Sequence, residues 1–146
     1  MENKKIFIAC PISKHFEKNK MDEDYQIFIK KLYRYIKEKY KNVFLALERE
    51  KYGQEKMSGE VCTPLDYKEM KDTDILLAIP EDSMGVAIEI GLASAFHKNI
   101  ILILDKKYKV SPLVENIDTV TNCKKVYIDT TNGYQKCLND IKTFIK

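Results

Sequence analysis

Asp74-Ile-Leu-Leu-Ala-Ile-Pro-Glu-Asp-Ser83-Met-Gly85-Val-Ala-Ile-Glu89-Ile-Gly91-Leu-Ala93 reads as a strand, a turn and a helix in direct succession. The apolar run Ile75 to Ile79 is short enough for a buried strand, and Pro80 to Gly85 carries the residues that break it. A helical stretch follows at once. Such a junction is an anion site in waiting, because the first backbone N–H groups of a helix have no partner within it. Glu89 is the odd residue, one turn into a helix otherwise made of Val, Ala, Ile, Leu and Phe. A carboxylate in that company has either a partner or a function.

Outward from this stretch, strand-like and helix-like segments alternate. Ile6 to Ala9 is a first strand. Asp22 to about Tyr40 places apolar residues at 25, 28, 29, 32, 33 and 36, the spacing of an amphipathic helix. Val43 to Leu47 is a second strand, and the polar stretch Glu48 to Glu60, with Gly53 and Gly59, is expected as a mobile loop near a site. Pro64 suits the first turn of a short helix running to about Lys71. After the Glu89 helix, ended by Lys98-Asn99, comes the strand Ile100 to Leu104. Ser111-Pro112 begins a short helical piece, Val126 to Ile128 is a last strand, and Tyr134 to Ile145 a final amphipathic helix. This alternation predicts an α/β protein with a parallel sheet covered on both faces.

Ligands of such sheets bind beyond the carboxyl ends of the strands. Here those tips carry Cys10-Pro-Ile-Ser-Lys-His15, Glu48-Arg-Glu50 and Asp82-Ser-Met-Gly85. No G-x-G-x-x-G follows the first strand and no G-x-x-x-x-G-K-[ST] is present, which removes dinucleotide binding and the phosphate-loop NTPases. Cys10, Cys62, Cys123 and Cys137 lack C-x-x-C spacing, so zinc and thioredoxin-like chemistry are not indicated. Cys10 sits at a strand tip, yet a cysteine phosphatase loop would want an arginine where Phe16 stands. His15 and His97 have no metal-ligand spacing, and His97 is read as a dipole-favoured residue in the last turn of its helix.

A chain of 146 residues, 45% apolar and 32% charged, makes one soluble globular domain spanning residues 1–146. The net charge of +3, from 25 basic and 22 acidic side chains, is spread along the chain and gives no argument for a nucleic acid polymer as partner. No apolar run is long enough for a membrane span, and nothing resembles a signal peptide, so a cytoplasmic location is expected. Arg34 and Arg49 are the only arginines, so a bound phosphate is expected to rely on backbone N–H groups, hydroxyls and lysine.

The pattern S-x-G-V-x-x-E-x-G-x-A from Ser83 to Ala93 resembles the signature of the nucleoside 2-deoxyribosyltransferase superfamily. The likeness is greatest to its nucleoside 5'-monophosphate N-glycosidases, of the 2'-deoxynucleoside 5'-phosphate N-hydrolase and CMP hydrolase type. It extends to an acid, Asp66, placed eight residues before Asp74. The resemblance implies a Rossmann-like, flavodoxin-like sandwich with a five-stranded parallel sheet, and cleavage of a C–N glycosidic bond without a cofactor or metal. It implies Glu89 as nucleophile and Asp66 as its acid–base partner, the two-carboxyl arrangement that glycosidic cleavage uses. Ser83 reads from the sequence as a helix N-cap; the resemblance adds contact with a 5'-phosphate, where nucleoside-specific transferases tend to carry an acid. Gly85, Cys10, Ile12, Ser13 and Lys14 complete the implied substrate site, although the arginine common in the family's first loop is missing. A homo-oligomer whose neighbouring subunit helps close the site is also implied. A base-exchanging transferase and a non-catalytic nucleotide sensor are the alternatives.

Overall fold

A computed structural model describes residues 2–145. Strand β1 (Glu2–Ala9) leads through a small antiparallel hairpin, β2 (Phe16–Glu17) and β3 (Lys20–Met21), to helix α1 (Glu23–Lys39) and strand β4 (Tyr40–Leu45). Then come α2 (Ala46–Arg49), α3 (Gly59–Asp72), β5 (Ile75–Ala78), α4 (Met84–Ala95), β6 (Asn99–Asp105), α5 (Pro112–Glu115), β7 (Cys123–Ile128) and α6 (Tyr134–Phe144). The main sheet has the order β4-β1-β5-β6-β7 with every pairing parallel. This is the five-stranded, flavodoxin-like arrangement, and the chain reverses direction across the sheet between β1 and β5.

Alternation along the strands assigns side chains to two cores. Ile6, Ile8, Leu45, Leu77 and Ile103 face α1 and α6, meeting Phe28, Ile29, Leu32, Leu138 and Ile141. Phe7, Ala9, Leu76, Ala78 and Leu102 face the opposite way, onto Met70 of α3 and Val86, Ile90 and Ala93 of α4. Each of the larger side chains among them, fully buried, contributes about 1.5–3 kcal/mol. The strands are hydrophobic at consecutive positions because both of their faces are covered.

Several boundaries differ from the sequence reading. Helix α1 passes directly into β4, because Glu2 pairs with Tyr40; the strand therefore starts before Val43 and releases Ala46 and Leu47 to α2. The stretch 48–60 is a folded connection, not an open loop. Its carbonyl at Glu50 accepts from the N–H groups of Gly53 and Glu55, and its Glu50 side chain accepts from Met57. Helix α3 begins at Gly59, so Pro64 lies inside it rather than at its start. Only the bond that its missing N–H would have made to Glu60 is lost. Asp66 consequently sits mid-helix, beyond the reach of a first-turn dipole effect. Helix α4 ends at Ala95, and His97 adopts a left-handed φ of 57° while Lys98 N–H returns to the Ala93 carbonyl. That makes it a C-terminal turn residue and not a member of the last turn. The β2–β3 hairpin, with Lys18 and Asn19 both at positive φ, was hidden by the lack of glycine in its turn.

Candidate active site

The strand-order switch leaves a crevice above β1 and β5, where Cys10, Ile12, Ser13, Lys14, Ser83, Gly85 and Glu89 line one cavity, while Asp66 is not part of its wall. Ser83 is the N-cap of α4, its hydroxyl accepting from Val86 N–H at 3.3 Å. Gly85 and Glu89 lie four residues apart, hence on one helical face. A Cβ added at Gly85 would find only Ser83 Oγ, 3.8 Å away, so the space in front of Glu89 is open. Cys10, Ile12 and Ser13 from the loop after β1 face Ser83, Gly85 and Glu89 around a cavity of about 420 Å³. A larger groove of about 760 Å³ runs between α1 and residues 48–54; its wall is mostly charged side chains and it does not reach Glu89.

Glu89 has an unusual proton affinity. Burial, and then the charge of Asp66, push its carboxyl up to about 8, with Arg49 opposing them in part. Asp66 is also raised, by burial, against the pull of Arg49. Arg49 Nη1 donates to Asp66 Oδ1 at 2.7 Å, and the guanidinium stands 5.3 Å from the Phe44 ring centroid. Arg49 Nε is buried with no acceptor among the described residues. Arg49 of α2 and Asp66 of α3 thus form one ion pair, whose two charges act on Glu89 of α4 in opposite senses. In the sequence Arg49 stands at a strand tip with no evident part, and its rarity in a lysine-rich chain is the available signal.

The loop after β1 is locked in place. Glu81, almost fully buried and at a φ of 47°, accepts from Lys14 Nζ at 2.8 Å and contacts His15 Nε2 at 2.9 Å. Lys14 also bonds to Asp82, whose carboxyl is held below the usual range by that contact. Lys14 lines the cavity but is already committed to two carboxylates. The His15 ring stacks on Tyr25, with centroids 3.5 Å apart, and Tyr25 Oη donates to the Pro11 carbonyl at 2.6 Å. Cys10 is buried, which pushes its thiol up to about 12 and keeps it un-ionised at neutral pH. Among the described residues no three His, Cys, Asp or Glu side chains gather to hold a metal ion, and no helix is long and apolar enough to cross a membrane.

No family model matches the sequence, and no curated protein does. Solved structures do match. The CMP N-glycosidase BcmB of Clostridium botulinum is 30% identical, over 97% of this chain and 99% of its own, with a TM-score of 0.71. The chain belongs to the nucleoside 2-deoxyribosyltransferase superfamily. Its likeness within that superfamily is to proteins of the CMP hydrolase type. BlsM, known from a solution structure, is 28% identical over 98% of this chain and 92% of its own, with a TM-score of 0.74. A conserved protein from Enterococcus faecalis, 16% identical with a TM-score of 0.62 over 98% of this chain and 99% of its own, shares the fold. Membership in the superfamily makes the chain an enzyme of the N-glycosidase and deoxyribosyltransferase class.

Proposed function

We propose that this protein hydrolyses the N-glycosidic bond of a nucleoside 5'-monophosphate, giving free base and ribose or deoxyribose 5-phosphate. The observation that carries the proposal is Glu89, half-buried at the end of an open cavity, its carboxyl raised to about 8 and flanked by the Asp66–Arg49 pair. A carboxylate deprived of water is a strong nucleophile once ionised, and it stabilises positive charge growing at a sugar carbon.

In this reading the 5'-phosphate lies against the N-terminus of α4, held by backbone N–H groups and the hydroxyls of Ser83 and Ser13. Glu89 attacks the anomeric carbon as the C–N bond breaks, and the bonding electrons leave with the base. Asp66 receives the proton that Glu89 gives up on ionising and delivers it to the departing base. Water then attacks the glycosyl ester, its proton passing to Asp66, and the sugar phosphate departs with Glu89 restored. Arg49 fixes the Asp66 carboxyl and limits the charge beside Glu89. With free nucleotides as substrate, the cytoplasm is the place of action. A second copy of the chain covers Val61 and Leu65 of α3 and Met84 and Ile88 of α4, large apolar side chains exposed beside the site.

The test is incubation with each ribo- and deoxyribonucleoside 5'-monophosphate, with chromatography of the products. Free base and sugar 5-phosphate in equal amounts are expected from at least one substrate. Turnover only when a second free base is supplied would move the protein to the transferases. Release of base from nucleosides in preference to their monophosphates would remove the phosphate from the proposal.

A further inference from the structure

The groove of about 760 Å³ between α1 and residues 48–54 shares no wall residue with the Glu89 cavity. Lys30, Arg34 and Lys37 line its α1 side, and Lys51 and Tyr52 the other. Its acids are Glu38 and Glu48, two against four bases. At positions i, i+4 and i+7 the three α1 bases share one helical face. None of the three forms an ion pair among the described residues, with Glu38, Glu48 or any other acid. Lys51 pairs only with Glu55, outside the groove, at 2.6 Å. Like charges so spaced repel one another, so the row weakens α1 until an anion lies across it. Arg34 stands out here, because the chain has only two arginines and the other, Arg49, is committed to Asp66.

The opposite wall is strained. Lys51, Tyr52 and Gly53 hold φ values of 48°, 53° and 95°, three left-handed residues in succession of which only the last is a glycine. The Tyr52 hydroxyl is buried without a hydrogen-bond partner among the described residues, so no bond from that side chain offsets the conformation. Strain of this kind gathers at ligand-binding sites. Here it brings Lys51 and Tyr52 to the α1 bases, with Lys30 Nζ standing 4.5 Å from the Tyr52 ring centroid.

Length and charge define the ligand. From Lys30 to Lys37 the helix rises about 10 Å, so one orthophosphate meets Arg34 and a single neighbour, whereas a run of linked phosphates follows the row. Arginine holds such an anion by paired hydrogen bonds and lysine as a point charge. We propose that this groove binds the linked phosphates of a di- or triphosphate compound, with Lys30, Arg34 and Lys37 on one side and Lys51 on the other. The occupant is not the molecule cleaved at Glu89, and the site stands or falls independently of that chemistry.

The test is a ¹H–¹⁵N NMR titration of the whole chain with inorganic tripolyphosphate, ATP and orthophosphate. Tripolyphosphate should move the amide signals of residues 30–38 and 48–54 and bind about tenfold or more tightly than orthophosphate. Arg34 is exposed, so Arg34→Gln should keep Tm. It should weaken tripolyphosphate binding by about tenfold or more, the usual worth of a charge-assisted contact. ATP binding no more tightly than tripolyphosphate makes the phosphate chain alone the recognised group, and tighter ATP binding makes this a nucleotide site; either supports the assignment. Shifts confined to residues 10–14 and 82–86, no shifts at all, orthophosphate binding as tightly as tripolyphosphate, or an affinity that Arg34→Gln leaves unchanged overturns it.

Discussion

Glu89 lies where the fold works against its charge. In an unfolded chain it would titrate near the ordinary 4.5, whereas burial and then Asp66 raise it to about 8 in the folded protein. Between those values the folded state holds a proton that the unfolded state has lost, so stability falls as pH rises from about 4.5 to about 8. The cost at pH 8 is on the order of a few kcal/mol. Glu89→Gln, which cannot ionise, should therefore raise Tm at pH 8 by several degrees and change it little at pH 4.5. Thermal melts at the two pH values check this, and an equal gain at both would assign the effect to packing. Such a cost is what a functional site carries. Glu89 was legible in the sequence because it is a lone acid among apolar neighbours, and Ser83 because it precedes a helix. Arg49 was not, since its partner Asp66 lies 17 residues further on and only the folding of α2 against α3 joins them. Lys14 was read as available to a phosphate; its pairing with Glu81 and Asp82 spans more than 60 residues and is equally invisible in the sequence.

The elements that shape the site are the turn from β5 into α4 and the loop after β1, and Glu81 joins them. A non-glycine residue at positive φ costs of order 1 kcal/mol or more, and persists where its surroundings over-determine it. Here the surroundings are Lys14 and His15, both bonded to the Glu81 carboxylate. Glu81→Gly removes the carboxylate while welcoming the backbone conformation. If the ionic clamp outweighs the backbone cost, the variant should lose about 1–3 kcal/mol, a drop of several degrees in Tm. KM for the nucleotide should rise with it, as the first loop loosens. An unchanged or higher Tm would mean that the turn, and not the clamp, is what holds the loop. The strands and the long helices were legible because their apolar spacing is unambiguous. Helix α2 and the early start of α3 were not, because Glu48 to Glu60 is polar and is organised by the carboxylate and carbonyl of Glu50 rather than by an apolar pattern. The β7 boundary moved for a similar reason: Lys124 and Lys125 conceal a strand that pairs with β6 from Cys123 onward.

At the scale of the whole molecule, the doubly covered sheet explains why both faces of the central strands are apolar, and it leaves a different surface unexplained. Met84 is 84% and Ile88 65% exposed on α4, one turn apart, with Val61 and Leu65 one turn apart on neighbouring α3. A second copy packed there would bury these side chains and wall the Glu89 cavity. Ile88→Lys should then shift the protein from dimer to monomer in sedimentation experiments and lower kcat/KM by tenfold or more, with Tm showing that the fold persists. A monomeric wild type would remove the partner from the account. The parallel, doubly covered sheet was readable from the alternation of strands and helices and its strand order only through the family resemblance, whereas the exposed face was not, since an apolar helix reads the same whether it faces a core or a neighbour. In the proposed reaction the carboxylate of Glu89 itself forms and breaks the bond to the sugar. The most direct measurement of this step is single-turnover base release from the preferred monophosphate by wild type and Glu89→Ala. A loss of several orders of magnitude is expected in the variant, with its fold intact. A Glu89→Ala protein that keeps more than about a tenth of the wild-type rate would contradict it.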